Sequence, residues 1–429
     1  MSIFVHDEFN PEDSAMLQAL YSRSAASVEQ HVDKVKKTGS GKFMESFYVG
    51  YGHNSIADCG STTIFIEDVS TLVTKAFQAH NLYSGQETST RYIDMGAQAI
   101  SDPVGTKESK QILDDWMEFY LTAMEPVKKH IAKEFPRQTD ENEKVYEKAV
   151  AARAFDILRG FLPAGIHTQF SWHTNLRQAH DALDILMHYP LKEVRDVATE
   201  VLEKLKERYA HSFSHKIYPA SEKYREYLGE NWTFYNPDKA PEFKFSTSVK
   251  RTDLNQYREI LTTRPTKTLL PQFLLEAGLC TFEFLLDFGS FRDIQRHRNG
   301  VCRMSLITTR FGFNEWYLEQ LPRELCATAK GLIAKQIKRI EKLDCAEEEK
   351  QFYIAMGFNI ACKVSYGLPA AIYTVELRSG NTVHPTLRAV AHQMSRALEA
   401  EFPNLKLHSD YSPDEWDVRR GEQDIIEKH

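Results

Sequence analysis

The stretch Ala79-His80-Asn81-Leu82-Tyr83-Ser84-Gly85-Gln86-Glu87-Thr88-Ser89-Thr90-Arg91-Tyr92 decides how this chain is read, because a partial copy of it returns as Arg296-His297-Arg298. Each copy holds what the other lacks. The first keeps hydroxyls, a carboxylate and a guanidinium at Ser84, Glu87, Ser89 and Arg91, with Gly85 among them, and the second keeps the cations. A run of the first kind can present an arginine fork and hydroxyl donors to a phosphate, while Glu87 accepts from a ribose hydroxyl or a base N–H. Taken alone, a segment rich in Ser, Thr and Gly is more often a solvated turn. Arg296-His297-Arg298 follows an apolar helical run, at the end where the helix dipole favours positive charge. A charge-complemented helix end is the plain reading there, and an ordered anion the functional one.

Working outward, the chain runs twice through a similar order. In the first half Thr62 to Ile66 alternates like a strand, and Val69, Leu72, Val73, Ala76 and Phe77 fall at helical spacing. A long amphipathic helix follows, with Leu113, Trp116, Met117, Tyr120, Leu121, Met124, Val127 and Ile131 on one face. A second helix, Val145 to Arg159, stops at Leu162-Pro163, where proline ends it. Ile166 to Phe170 comes next, then a helix carrying Val194, Val197, Ala198, Val201, Leu202 and Leu205. In the second half Thr281 to Leu286 reads as a strand, Phe288 to His297 as a helix, and Leu332 to Leu343 as another. A further helix is expected from Gln351 to Tyr366, ending at Leu368-Pro369, with Ile372-Tyr373-Thr374 paralleling Ile166-His167-Thr168. Leu387, Val390, Ala391, Met394 and Leu398 line the last helix. The expected division is a first repeat over 1–207, a linker over 208–255 and a second repeat over 256–429. Trp232, Phe234 and Tyr235 suggest that the linker packs on a surface.

Composition sets limits on function. With 429 residues, 42% of them hydrophobic and 26% charged, the chain can bury two ordinary cores. Formal net charge is −7 and no long Lys/Arg block occurs, so no nucleic acid partner is expected, although a few local arginines suffice for one phosphate. The six cysteines show neither CxxC pairs nor disulfide spacing, as suits a reducing compartment. Met1 to Glu8 has no signal-peptide character, and no apolar run reaches membrane-spanning length, so a cytoplasmic location without membrane association is expected. HExxH and GxSxG are absent. Thr38-Gly39-Ser40-Gly41-Lys42 lacks parts of a phosphate loop, and the sixteen histidines lack ligand spacing, so no metal is expected.

These motifs resemble the flavin-dependent (alternative) thymidylate synthase family, in a tandem-repeat form. That family carries GHxS, then RHRxxSxxExSxRY, then ARxxLP and NxR. Gly52-His53-Asn54-Ser55 matches the first, with Asp58 where the family has Glu. Residues 79–92 match the second from Ser84 onward, with Ala79 and Asn81 in place of its two leading arginines. Arg159 before Leu162-Pro163, and Asn175-Leu176-Arg177, match the last two. In the second half Arg296-His297-Arg298 is intact, while Val301, Leu306 and Thr308 replace the later Ser, Ser and Arg. Leu377-Arg378, with Arg388 beyond, resembles a later LR…R pair, the NxR turn reading as deleted.

The resemblance implies an α+β fold made of two tandem copies, each a mainly antiparallel sheet with surrounding helices. It implies FAD as cofactor, with NADPH and methylenetetrahydrofolate as co-substrates, and reductive methylation of dUMP to dTMP. By the same resemblance Glu87, Ser89, Arg91, Arg159 and Arg296 would bind dUMP. Ser55, Asn175, Arg177, Arg296, His297 and Arg298 would bind FAD. Arg378 is the expected cation beside the uracil ring, with Arg388 in reserve. The family tetramer becomes an expected homodimer of tandem chains, its composite sites pooling groups from both repeats. A flavoenzyme for another pyrimidine nucleotide and a non-catalytic FAD- or nucleotide-binding relative are the competing readings, the latter because of Ala79 and Asn81.

Overall fold

Strands that run into helices without a loop organise the chain. The computed structural model describes residues 9–22, 24, 27–50, 54–88, 95–414 and 416. Pro11–Tyr21 (α1) opens where the Asn10 side chain accepts from the backbone N–H of Glu12 and Asp13, with proline first in the helix. Val28–Thr38 (α2) packs on it. Ser61–Ser70 (β1) passes directly into Thr71–Gln78 (α3). Lys107–Glu134 (α4) begins with reciprocal capping between Thr106 and Ser109, and Glu143–Leu158 (α5) packs along it. His167–Asn175 (β2) passes directly into Leu176–Leu186 (α6), followed by Lys192–Arg208 (α7) and Pro219–Trp232 (α8).

The second half holds Lys244–Thr247 (β3), Leu279–Asp287 (β4) running straight into Phe288–Ile294 (α9), Gly300–Met304 (β5) and Arg323–Glu341 (α10). Asn359–Gly367 (β6) then runs straight into Leu368–Arg378 (α11), and Pro385–Glu401 (α12) follows. The fold is therefore α+β, and the order β1α3, α4, α5, β2α6, α7 recurs as β4α9, α10, a short turn, β6α11, α12.

Two compact units result, one made of Met1–Val69, Val73–Glu87 and Thr168–Thr233, the other of Ser70–Leu72, Thr88–His167 and Phe234–His429. Packing thus cuts across the division expected at 207 and 255, since α4 and α5 of the first repeat fold into the second unit. The stretch expected to be a linker contains α8 and β3.

In the first unit β1 pairs with β2, and the polar run after α3 lies antiparallel beside β2 through Ser84 with His173 and Glu87 with Phe170. The run read as a turn is thus held by a sheet ladder. Gly85 is required there, because a Cβ would stand 2.0 Å from the carbonyl oxygen of Ser171. Phe77 packs on Phe170 and Trp172 beneath it.

In the second unit a four-stranded sheet runs β3-β4-β6-β5, antiparallel throughout, with Phe284 opposite Cys362 and Cys302 opposite Val364. Cys280, Phe282, Phe284 and Leu286 alternate inward along β4. The expected helix from Gln351 to Tyr366 is instead a short turn and then β6. This strand lies between two others; Ile360, Ala361 and Cys362 are buried in succession and mask the alternation of Cys362, Val364 and Tyr366 with the less buried Lys363 and Ser365 that marks a strand. Ile372-Tyr373-Thr374 accordingly falls inside α11 and not at a strand start.

The same unit contains a local two-fold. The turn Arg159–Phe161 after α5 and the turn Gln351–Tyr353 bond each other reciprocally. Ala164 N donates to Ile354 O at 2.9 Å while Met356 N donates to Leu162 O at 2.8 Å; Gly165 N donates to Phe352 O at 3.0 Å while Gly357 N donates to Gly160 O at 2.7 Å. Pro163 faces Ala355 on the axis. This pairing fixes the register of the repeats. Gln351 stands for Arg159, Gly367-Leu368-Pro369 for Asn175-Leu176-Arg177, and Arg378 for Leu186. The NxR turn is therefore replaced and not deleted.

Candidate functional site

Asp287 ends β4 and caps α9, its Oδ1 accepting from Ser290 N at 2.9 Å. Phe288, Phe291 and Ile294 bury the short helix, which delivers Arg296-His297-Arg298 just past its end. The Arg296 side chain is 56% exposed, with Nη1 3.7 Å from Asp293 Oδ1. His297 is buried and its backbone N–H returns to Ile294 O at 3.1 Å. From the last turn of α11, Arg378 donates through Nε to His297 Nε2 at 2.7 Å and through Nη2 to the Asp293 carbonyl at 2.7 Å. Burial, and then the adjacent Arg378 charge, push the His297 pKa down to about 3, so the ring is neutral. Burial also lowers Arg378. Asp293 shows the opposite balance: burial would raise its carboxyl, but Arg296, Arg159, Arg378 and Arg292 outweigh it and hold the pKa below the usual carboxylate value.

Arg159 reaches this neighbourhood from the first repeat. Its buried guanidinium donates through Nη2 to Ser290 Oγ at 2.9 Å, while Nε has no hydrogen-bond partner among the described residues. Ser290 Oγ also lies 2.7 Å from Thr386 Oγ1 and 3.2 Å from His384 Nδ1. Asp287 accepts from Tyr317 at 2.7 Å and from Thr386 at 2.5 Å. Burial works against the Arg159 charge, yet Tyr317, Asp156, Asp287 and Asp293 raise its pKa above the ordinary arginine value. The second unit therefore gathers Arg159, Arg296, His297, Arg298 and Arg378. Asp293 and the Asp287 network were missed from sequence; Asp287 three residues before Ser290 is the capping signal that pointed to the latter.

The first unit holds the other expected residues. Glu87 is buried against α3, with Oε2 accepting from Lys75 Nζ at 2.9 Å and Gln78 Nε2 at 3.1 Å, and Oε1 from Thr74 at 3.3 Å. Asn175 caps α6 by accepting from Gln178 N at 2.8 Å. Arg177 pairs with Asp58 at 2.7 Å and Asp181 at 3.1 Å, and the hydrogen bond to Asp58 is the main reason its pKa rises. Ser55 is exposed on the short helix Asn54–Ala57. His53, Ser89 and Arg91 lie outside the described residues. Arg388, the reserve cation, is buried in the second unit, where it binds Ser379 O and Ser412 O, each at 2.7 Å, and faces Asp410. It anchors the C-terminal segment. No cluster of three metal-ligating His, Cys, Asp or Glu side chains occurs among the described residues, and no described helix is long and apolar enough to cross a membrane.

Residues 5–209 match the family described as "Thymidylate synthase complementing protein". Over longer spans the chain is similar to a "UPF0159 protein" of Chlamydia muridarum, 23% identical with 83% of this chain and 78% of the relative covered. A "UPF0159 protein" of Thermoplasma acidophilum is 22% identical, with 92% and 94% covered. A third, from Chlamydia pneumoniae, is 23% identical with 85% and 79% covered.

Proposed function

We propose that this protein, whose residues 5–209 match the thymidylate synthase complementing protein family, is a flavin-dependent enzyme converting dUMP to dTMP. Methylenetetrahydrofolate would donate the one-carbon unit and NADPH the reducing equivalents, in a homodimer whose sites pool groups from both repeats. One observation supports this reading above the others: Arg159, which only the first repeat keeps, lies in the same unit as Arg296-His297-Arg298 and Arg378, which only the second keeps, and Arg159, Arg296 and Arg378 together lower the pKa of Asp293. Decay of a useless duplicate has no reason to spare complementary groups and fold them together.

The residues of the second unit suit FAD. Arg296 offers an exposed guanidinium for a pyrophosphate, and His297 a neutral ring for a polar edge. Arg298 completes that set. Ser55, Asn175 and Arg177 are assigned to FAD as well, although Asn175 and Arg177 are already engaged within the protein and would be shared. Bound FAD supplies redox chemistry that the side chains lack. The chain's own task is positioning and electrostatics. Glu87, Ser89, Arg91, Arg159 and Arg296 would hold dUMP, and Arg378 would stabilise negative charge developing on the uracil ring. The test is release of tritium from 5-labelled dUMP with NADPH and methylenetetrahydrofolate, after a flavin absorbance band is sought in the purified protein. A yellow protein that releases no tritium would overturn the dUMP assignment.

A second reading rests on Glu87, whose carboxylate is already bonded to Thr74, Lys75 and Gln78, so that a nucleotide must compete for it. It describes a flavin protein that acts on another pyrimidine nucleotide, or only binds one. Nucleotide titration without turnover would select it.

A further inference from the structure

Arginine keeps its proton in proteins and has no acceptor, so in the 2.7 Å contact between Arg378 Nε and His297 Nε2 the guanidinium donates and the imidazole accepts. The proton of the neutral ring must then sit on Nδ1. The direction of the Nε–H is fixed twice over, because the planar guanidinium is also tied through Nη2 to the Asp293 carbonyl and sits on the last turn of α11. An imidazolium here would set N–H against N–H. The charged groups facing the ring oppose it as well: Arg378 from α11, and Arg296 and Arg298 from its own turn, against the single carboxylate of Asp293 from α9. Tyr373, one turn before the end of α11, meets the ring edge-on at 5.8 Å.

The first repeat provides an internal comparison. His80 holds the place of His297 after α3, and Leu186 holds the place of Arg378 at the end of α6. There the backbone N–H of Leu82 donates to His80 Nδ1 at 3.3 Å, so a neutral His80 carries its proton on Nε2. A neutral His80 would therefore hold the tautomer opposite to that of His297.

We propose that Arg378 is a positioning residue for His297: its Nε–H pins the imidazole as the Nδ1–H tautomer, so that His297 meets its ligand as a neutral hydrogen-bond donor and not as an acid or a cation. The chemical class this selects is an acceptor atom, such as a carbonyl oxygen or an unprotonated ring nitrogen. The tautomer stands independently of the proposed function. The identity of the acceptor as part of a flavin rests on that function.

The test uses the full-length chain labelled with ¹⁵N-histidine, read by long-range proton–nitrogen correlation spectra, with His297→Asn and His80→Asn identifying the two signals among sixteen histidines. At neutral pH His297 is expected to show a protonated Nδ1 and a bare Nε2, and His80, where neutral, a protonated Nε2; the His297 pattern should persist down to pH 5. Arg378→Leu, which installs the residue of the first repeat, should move His297 toward Nε2–H and let it titrate nearer the ordinary range. A wild-type His297 protonated on Nε2, an imidazolium at pH 6, or an Arg378→Leu spectrum with His297 unmoved would overturn the proposal. Wild-type spectra decide even if the variant misfolds. Flavin titration then tests the ligand. His297→Asn, which keeps an N–H near the place of Nδ1, should bind at least tenfold more tightly than His297→Gln, and equal affinities would refute the donor role. Wild-type protein that binds no flavin would defeat the proposed function and leave the tautomer result intact.

Discussion

Lys75 Nζ lies 2.9 Å from Glu87 Oε2, with the two side chains only 4% and 3% exposed. A buried ion pair contributes little net stability, but losing one partner strands a charge. Lys75→Met is therefore expected to destabilise the protein by about 3 kcal/mol in urea unfolding. Adding Glu87→Gln should recover most of that loss, and strictly additive effects would show that the pair is uncoupled.

Asp287 is the acceptor for Tyr317, Thr386 and the backbone of Ser290. Asp287→Ala leaves three buried donors without it and should cost about 3 kcal/mol or more. Tyr317→Phe removes one hydroxyl and should cost about 1 kcal/mol. Equal losses in denaturant titrations would mean that the network is held from elsewhere.

Stability should fall in mild acid. His297 has a folded pKa of about 3, against about 6.5 for an unfolded histidine. Below pH 6.5 the unfolded chain takes up a proton that the folded ring refuses, so the stabilisation is complete above that pH and is lost as pH falls toward 3. The slope from this group is about 1 kcal/mol per pH unit. His215, pushed down to about 4 by burial and by the neighbouring His180 ring 4.0 Å away, acts in the same direction. Comparing the wild type with His297→Asn at pH 6, 5 and 4 should show the variant's curve flatter; parallel curves would refute the assignment.

Arg296 is exposed, so Arg296→Ala should change stability by no more than about 0.5 kcal/mol. Under the proposed function the same variant loses flavin, whereas Arg91→Ala keeps flavin and loses dUMP. Absorbance spectra and nucleotide titration check both, and a yellow Arg296→Ala protein would remove Arg296 from the flavin site.

Much of the helical framework was legible, because α4, α7, α10 and α12 each bury one stripe at helical spacing. β6 was not. The buried run Ile360 to Cys362 prolongs the apolar stretch from Phe352 and reads as a buried helix, although Cys362-Lys363-Val364-Ser365-Tyr366 alternates as a strand does. That one error displaced the turn at Gly367 and turned a substitution into an apparent deletion. Of the candidate site, the Arg296-His297-Arg298 turn was visible as a motif at a helix end. Its link to Arg378, and the position of Arg159 beside Ser290, join residues far apart in sequence, and no local pattern encodes them. Lys75 reads as an ordinary surface lysine until the run carrying Glu87 is folded back beside β2.

The reciprocal bonds between the turns at Arg159 and Gln351 are those of an isologous contact, in which each party offers the other the same surface. Here both parties belong to one polypeptide. Where separate subunits would need concentration to find each other, covalent continuity makes the encounter unimolecular and guarantees one partner of each kind. Halves held in one chain need not stay alike, as Arg159 standing opposite Gln351 shows.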